Sequence, residues 1–447
     1  MNKPERFTLR EEYFGGIVHD VKEMTCHILN SRQYGLLSMI LDDTEVIPIR
    51  EYEEIGYDKS EIEKFADMGI LSIESDKMRV KGARKVKLPI RNGCLAAPIR
   101  VYHTFTRKCN LKCPQCCIAS ESDTEDDRMT MEEFESVVRK FYEAGTMEWR
   151  FTGGEATFCQ DLPEAVSIVR KYGMAVMLNT NGCWSEKLTQ KLLHAGLAEV
   201  IVSMEGSETV NELRRPGAYR KAIKTLGRIS KYNKENPGSK IRVTINMTVA
   251  KDNVKEVEFV VRLGADYGFN VNFVPLRPYG RTPSCLPETM LSTEEFMEFS
   301  RKVQKLREAP EIKSSGIKIV HRNMDLFCPD YPDKRDNPYP FNYSDCGALS
   351  TGFGLCPDGR VNVCSFLMDD PEFLGPNMTE VSVQEAWLHP KVELFRRAKK
   401  LGCGNCRFYM NQCEGKCRAM VLAEGGRIED GKLIGSDRYC FSRLMSK

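Results

Sequence analysis

No stretch of apolar residues in this chain approaches the roughly 20 needed to span a bilayer. The opening residues, MNKPERFTLREEYF, lack the apolar core of a secretory signal. A formal charge of +2 leaves no polyelectrolyte attraction, so no nucleic-acid partner is expected. No repeat of solenoid type is present. With 41% hydrophobic and 29% charged residues, the composition is that of a soluble globular protein. At 447 residues it exceeds one ordinary core, which predicts two or three domains. The expectation is a cytoplasmic protein with neither membrane nor nucleic acid as partner. Cysteine is what the chain has in excess. Eighteen of them without an export signal do not make a disulfide framework, because reducing compartments keep thiols free. Their tight grouping points to metal or redox chemistry.

Residues 1–85 read as a winged-helix-like α+β unit. Alternating strands fit Glu12 to Asp20 and Glu23 to Leu29, and helices fit Gln33 to Leu41 and Lys59 to Met68. An extended wing, Ile70 to Val80, turns around Ser75 and Asp76. A packing role and a binding role suit this unit equally. From Pro98 to Val274 strands and helices alternate. Strands fit Arg100–Thr106, Met147–Thr152, Met174–Asn179, Glu199–Ser203, Arg242–Val249 and Asn270–Val274. Helices fit Met131–Ala144, Pro163–Lys171, Glu186–Ala195, Ala218–Tyr232 and Val254–Tyr267. This predicts an α/β fold, a partial (β/α)6 barrel over residues 98–310, with functional residues at the carboxyl ends of its strands. A helix near Thr293–Arg307 precedes a linker, CPDYPDKRDNPYP. Residues 340–447 carry eight cysteines and little periodicity, and metal is expected to hold them together.

Cys109, Cys113 and Cys116 form CxxxCxxC just past the first barrel strand. A cubane iron–sulfur cluster needs four ligands, so three thiolates on one loop leave one iron open to a small molecule. Zinc suits three close cysteines without a nearby histidine less well. In this motif and those that follow it, the chain resembles the radical S-adenosylmethionine (SAM) superfamily. The resemblance implies that SAM chelates the open iron and that its reductive cleavage yields a 5′-deoxyadenosyl radical. The electron would come from a flavodoxin- or ferredoxin-type donor. Thr152 and then Gly153-Gly154-Glu155 end the second strand, where the glycines let backbone approach a ligand and the carboxylate faces the methionine ammonium. Ser203, in VSMEG, resembles the polar cosubstrate contact. Arg215, in LRRPGAY, resembles the arginine that pairs with the methionine carboxylate, and Arg214 is its adjacent rival. Leu276, in FVPLRPYG, matches a backbone position that contacts adenine. Asn179-Thr180-Asn181-Gly182 matches the family's turn after the third strand. One departure stands out: the residue before the last cluster cysteine is usually aromatic and packs near adenine, whereas here it is Gln115. Cys117 reads as a packed thiol, and the acidic run Glu121–Asp127 as a solvated loop.

Cys346, Cys356, Gly359, Cys364, Cys403, Cys406, Cys413, Cys417 and Cys440 resemble the SPASM extension, with one residue inserted between Cys406 and Cys413. That resemblance implies two auxiliary clusters, and so three [4Fe-4S] clusters in all. The inner one takes Cys346, Cys364 and Cys417, with Cys356 as the fourth ligand, although some relatives leave that iron open. The outer one takes Cys403, Cys406, Cys413 and Cys440. A pair of zinc ribbons is the competing use of the same thiolates. The remaining cysteines, Cys26, Cys94, Cys117, Cys159, Cys183, Cys285 and Cys328, lack ligand spacing and read as reduced, buried thiols.

The function expected from these resemblances is maturation of a ribosomally made precursor peptide, with residues 1–85 similar to the PqqD-like element that captures a leader as an added strand. The expected outcome is a thioether or carbon–carbon cross-link. Formylglycine formation of the sulfatase-maturing type is a runner-up, disfavoured because Ser365 stands where those enzymes carry a carboxylate after Cys364. Modification of a small-molecule or cofactor precursor is another, and it leaves the amino-terminal unit without a purpose.

Overall fold

The computed structural model describes residues 5–42, 47–74, 77–282, 288–321, 347–403 and 417–440. The tip of the expected wing at Ser75 and Asp76 and the proline-rich linker fall outside them, as do Cys285, Cys328, Cys346, Cys406, Cys413 and the Cys403 side chain.

The amino-terminal unit holds β1 (Phe7–Glu12), β2 (Gly15–Asp20), β3 (Thr25–Asn30), α1 (Ser31–Asp42), β4 (Ile47–Pro48), α2 (Ile49–Glu54), α3 (Lys59–Asp67), β5 (Leu71–Glu74), β6 (Lys77–Val80) and β7 (Ala83–Val86). Its sheets run in the orders β3-β2-β1-β7 and β4-β6-β5. The single strand expected over Glu12 to Asp20 is a hairpin junction instead. Tyr13 and Phe14 turn the chain and Gly15, at φ 135°, starts the return strand, so alternation of side chains there concealed a reversal.

Strands β8 (Arg100–Thr106), β9 (Glu148–Gly153), β10 (Ala175–Thr180), β11 (Glu199–Ser203), β12 (Arg242–Val249) and β13 (Asn270–Pro275) are the six read from the sequence. They lie parallel and in sequential order, and a short seventh, β14 (Ile319–His321), continues the row. Helices α4 (Met131–Glu143), α5 (Leu162–Lys171), α6 (Glu186–His194), α7 (Glu208–Arg214), α8 (Tyr219–Glu235), α9 (Val257–Tyr267), α10 (Thr293–Glu308) and α11 (Pro310–Ser315) fill the connections. Thr130 caps α4 in a capping box with Glu133, and Ser292 does the same for α10 with Glu295, the signature that fixes both starts.

The sheet has two faces of different chemistry. Val101, Trp149, Phe151, Val176, Leu178, Val200, Val202, Ile245 and Phe273 are buried with the helices in the main core. The alternating residues, including Tyr102, Arg150, Thr152, Asn179, Ser203, Asn246 and Asn272, are half-buried and polar, the pattern of a wall that borders an inner space.

The amino-terminal unit closes the amino-end side of this polar face. Val21 and Met24, in the β2–β3 turn, pack on Ala175 and Met177 at the start of β10. His19 Nε2 meets Glu148 Oε1 at 2.9 Å, and Arg242 donates to the Glu23 carbonyl. Arg10, fully buried, donates to Glu12 and to the carbonyls of Ala97, Pro98 and Gly145. Because a buried guanidinium is costly unless every donor is used, this network fixes the docked position.

On the other side, β15 (Gly352–Leu355) joins β8 in parallel, and β16 (Arg360–Asn362) and β17 (Leu374–Asn377) add antiparallel strands. Helices α12 (Val383–Trp387), α13 (Pro390–Cys403) and α14 (Arg418–Ala423) and a hairpin of β18 (Arg427–Glu429) and β19 (Lys432–Ile434) follow. The expectation that metal holds this region together is supplemented by an ordinary packed core. Phe353, Leu355, Val361, Trp387, Val392 and Phe395 belong to the same core as the parallel strands, and Trp387 Nε1 donates to Leu95 O at 2.7 Å. The apolar residues were too widely spaced along the chain to show as a periodic pattern. No helix among the described residues is long and apolar enough to cross a membrane.

Candidate active site at the carboxyl ends of the strands

The loop after β8 carries Cys109, Cys113 and Cys116. The first two are buried and the third half-buried. Burial pushes the Cys109 thiol up to about 12, with Glu155, Cys113 and Cys116 adding to the effect and the Leu111 N–H opposing it. Burial raises Cys113 too, and the nearby Arg215 opposes the rise. No three Cys, His, Asp or Glu side chains among the described residues form a group that could hold a metal ion. The three thiols nonetheless sit within one another's electrostatic reach on a single loop.

The glycines of GGE act on the chain itself. A Cβ on Gly153 (φ 133°) would lie 2.3 Å from Thr106 O, and one on Gly154 would lie 2.1 Å from Lys108 O. Their absent side chains let β9 seat against the base of the cysteine loop, where Gly154 N and Glu155 N donate to Thr106 O and Lys108 O. The expectation that these glycines serve ligand approach is thus supplemented by a packing demand. Glu155 is buried, and burial raises its pKa against the pull of its donors. Its Oε1 accepts from Thr157 N, Thr157 Oγ1 and Thr180 Oγ1, and Oε2 accepts from Asn181 N at 2.6 Å. Oε2 therefore keeps capacity for one further donor. Asn181 Nδ2 in turn holds Asn110 Oδ1, tying the third-strand turn to the cysteine loop.

Beyond β11, Ser203 stands in register with Asn246, which accepts from Asn272 Nδ2 at 2.5 Å. Glu205, fully buried, divides the two arginines. Arg215 Nε and Nη2 both reach its Oε1 at 2.8 Å. Burial works against the Arg215 charge, but Glu205 and the Cys113 and Cys116 thiols hold its pKa above the ordinary value. Arg214 is turned the other way, to Glu205 Oε2, Asp252 and Thr248 O. Of the two rivals, Arg215 is the one drawn to the cysteines. Leu276 is buried, with its N–H on Val249 O.

Sequence reasoning missed the connector after β13. Gly280 (φ 64°) lies so close to the cysteine loop that a Cβ would be 2.2 Å from Cys116 O. Arg281 N donates to Cys116 O, Nη1 to Cys113 O, and Nη2 to Ala119 O, Ser120 O and Glu121 Oε1. Ala119 is held at φ 50°, a conformation rare for a residue with a Cβ. Toward the carboxyl-terminal region, Arg277 hydrogen-bonds Cys417 and Tyr279 donates to Ala419 O at 2.6 Å. Nothing in the string RPYGR signals this bridging role. In the acidic run, Asp123, Glu125 and Asp127 are exposed as expected, and the other two acids are engaged. Asp126 accepts from Thr106 Oγ1 and Arg107 N, and Glu121 pairs with Lys112 and Arg281.

Gln115 is buried, and neither Oε1 nor Nε2 has a partner in the protein. Each such group costs about 1–3 kcal/mol if left unpaired. Of the carboxyl-terminal cysteines, Cys356 is buried beside Ile118 and Met368, with Asn362 Nδ2 at 3.6 Å from its sulfur. Cys364 and Cys417 both raise the pKa of Tyr279, after the larger effect of burial. Cys440 N donates to Asp437 O.

Residues 103–264 match the radical SAM superfamily. That part of the chain is a radical SAM domain. The chain is 30% identical over 169 residues to the Fe-coproporphyrin III synthase of Methanosarcina barkeri, covering 37% of this chain and 40% of that protein. It is 25% identical over 355 residues to the PqqA peptide cyclase of Gluconobacter oxydans, covering 77% of this chain and 90% of that one. The fold is that of Streptococcus suis SuiB, solved bound to its precursor peptide SuiA, with a TM-score of 0.72, 15% identity, and coverage of 98% of this chain and 99% of that one. The superfamily implies SAM and a [4Fe-4S] cluster. The residues present suit both: three thiols on one loop, a half-buried arginine beside them, and an unpaired buried amide between two of them.

Proposed function

We propose that this enzyme is a peptide maturase, which takes a hydrogen atom from a ribosomally made precursor and leaves a thioether or carbon–carbon cross-link in its core region. The observation that carries this reading is likeness to proteins that act on or bind peptides, over 77% of this chain to PqqA peptide cyclase and over 98% to SuiB. The SuiB likeness takes in the amino-terminal unit, which a small-molecule enzyme would not require.

In this reading Cys109, Cys113 and Cys116 hold the first cluster, and Gly153, Gly154, Glu155, Ser203, Arg215 and Leu276 surround the cosubstrate. SAM, once bound, supplies the hydrogen-abstracting radical. The chain's own residues bind the methionine end, through Arg215 for its carboxylate and Oε2 of Glu155 for its ammonium, and exclude water by burial. Cys346, Cys356, Cys364 and Cys417 serve the inner SPASM cluster and Cys403, Cys406, Cys413 and Cys440 the outer, making three [4Fe-4S] clusters. Closing a cross-link from a carbon radical releases one electron, which such clusters suit. A flavodoxin- or ferredoxin-type protein is the electron donor, and the cytoplasm is the setting. Residues 1–85 take the leader as an added strand. Strand β3 has a neighbour on one side only among the described residues and offers that edge.

Coexpression with a short cysteine-containing reading frame beside the gene tests the proposal. The peptide is expected to lose the mass of two hydrogens. An unmodified peptide from a preparation that cleaves SAM would count against a peptide substrate. The Fe-coproporphyrin III synthase match favours tetrapyrrole chemistry as a second reading, and a porphyrin product in the same assay would support it.

A further inference from the structure

Two asparagines meet across adjacent strands on the inner face of the parallel sheet. Asn246 on β12 and Asn272 on β13 are in register, and both are half-buried. Asparagine is disfavoured in strands, and central strands of a parallel sheet are ordinarily apolar on both faces. Their chain neighbours Ile245, Met247, Val271 and Phe273, which face the helices, obey that rule. The asparagine pair carries a cost that packing does not explain. Asn272 Nδ2 donates to Asn246 Oδ1 at 2.5 Å, which ties the two amides together. Nδ2 of Asn246 and Oδ1 of Asn272 are left without a partner among the described residues. One donor and one acceptor are thus held on strands about 4.8 Å apart, on the face that borders the inner space. Ser203 is in register with Asn246, and Leu276 follows Asn272 on the same strand end, so the pair stands beside residues assigned to the cosubstrate. On β10, Asn179 adds a buried Oδ1 that likewise has no partner among the described residues.

Resting on the reading of a peptide substrate, we propose that Asn246 and Asn272 bind the main chain of the precursor's core region and hold one of its residues beside the cosubstrate. In an extended chain each residue points its own N–H and C=O to the same side, which is why paired antiparallel residues exchange two hydrogen bonds. The asparagine pair meets that edge as a neighbouring strand would. Asn272 Oδ1 accepts the peptide N–H, and Asn246 Nδ2 donates to the carbonyl of the same residue. The contact reads backbone and not side chain, so it fixes where the peptide lies while admitting different residues at the position held. A tetrapyrrole offers carboxylates to Nδ2 but no amide N–H to Oδ1.

The test uses full-length, anaerobically reconstituted enzyme and the synthetic precursor encoded beside the gene, with single backbone esters placed in turn along its core. An ester removes one N–H and leaves every side chain as it was. Wild type is expected to show a position at which the ester raises KM for modification roughly tenfold, the loss of one hydrogen bond whose acceptor stays unpaired. In Asn246→Leu/Asn272→Leu, KM for the all-amide precursor is expected to rise by a similar factor. Amide and ester are expected to become equal at that position, as a double-mutant cycle requires of two groups in contact. The dissociation constant for SAM, read from the reduced cluster's EPR signal, is expected to stay at the wild-type value. Replacing both members of a hydrogen-bonded pair by apolar groups of similar size costs a fold little. Where the double variant does not fold, Asn246→Asp keeps the volume and the bond to Asn272 and removes only the outward donor, and the same rise in KM is expected. The absence of any ester-sensitive position in wild type overturns the proposal, as does an ester effect that persists in full in the double variant. Weakened SAM binding overturns it too, by making the pair a cosubstrate contact. No modification of the all-amide precursor by wild type that cleaves SAM would overturn the peptide reading itself, and this proposal with it.

Discussion

Arg10→Met is the perturbation whose outcome the structure specifies most fully. Arg10 is completely buried where the amino-terminal unit meets the parallel sheet, and its fork serves Glu12, Ala97 O, Pro98 O and Gly145 O. Methionine fills a similar volume but leaves Glu12 with the Ala96 N–H as its remaining partner at this interface. Removing one member of a buried ion pair costs about 3–5 kcal/mol. That corresponds to a shift of roughly 200- to 5000-fold toward the undocked state. Burial already raises the Glu12 pKa, against the attraction of Arg10. A carboxyl whose folded pKa is raised favours the folded state fully below its unfolded pKa, and loses that contribution as pH rises through the folded value. Without Arg10 the folded pKa moves higher still, so the variant's deficit is expected to be smallest near pH 5 and to grow toward neutrality. Undocking exposes the segment between β7 and β8, and trypsin cleavage after Lys87 and Arg91 measures it alongside thermal unfolding across pH. Glu12→Met in the Arg10→Met background is expected to recover much of the loss, since no unpaired charge remains. A deficit below about 1 kcal/mol, or one that does not vary with pH, would refute the reasoning.

Arg215→Ala should lower SAM cleavage well below wild type while iron is retained. Arg214→Ala should chiefly reduce stability, because Arg214 is committed to Glu205, Asp252 and Thr248 O; iron analysis and deoxyadenosine assay on the same preparations separate the two. Ala119→Gly should raise stability by about 1 kcal/mol by relieving its left-handed conformation, as read from denaturant unfolding. Reconstituted protein should hold about twelve irons, and replacing Cys109, Cys113 and Cys116 together should remove about four; zinc without sulfide would contradict the cluster assignments.

What could be read from the sequence was local. The parallel strands were legible because each is a short apolar run bounded by turn residues, and the starts of α4 and α10 because their capping boxes are written within four residues. The motifs at Cys109–Cys116, Gly153–Glu155 and Arg215 were legible for the same reason. What failed were long-range contacts made by residues with no local signature. Arg10 is one charged residue in an alternating strand until its four acceptors, as distant as Gly145, are known. Arg281 follows a proline-rich turn, and its service to the cysteine loop depends on a separation of about 160 residues. The shared core of Phe353 and Trp387 is likewise a matter of where β15 joins the sheet.

If the amino-terminal unit captures a leader as proposed, the same placement constrains how a precursor is handled. The amino-terminal unit touches the sheet at Glu148, Ala175 and Arg242, at the starts of β9, β10 and β12, whereas the cysteine loop stands at the opposite, carboxyl ends. The longest of these strands, β12, has 8 residues, which at about 3.3 Å each separates the two ends by roughly 26 Å. With Val21 and Met24 packed on the amino end of the polar face, a peptide held by β3 must pass outside the sheet to reach the cysteines. An extended chain advances at most about 3.3–3.6 Å per residue, so at least roughly eight residues must separate the leader segment bound by β3 from the residue that is modified. Precursors shortened below that spacing are expected to bind undiminished, because the leader is intact, yet to emerge unmodified. Lengthening the spacer should change yield only slowly, since effective concentration falls gradually once the span is bridged. Full modification of a precursor with a two-residue spacer would exclude leader capture at this domain and leave it the role of closing the amino end of the sheet.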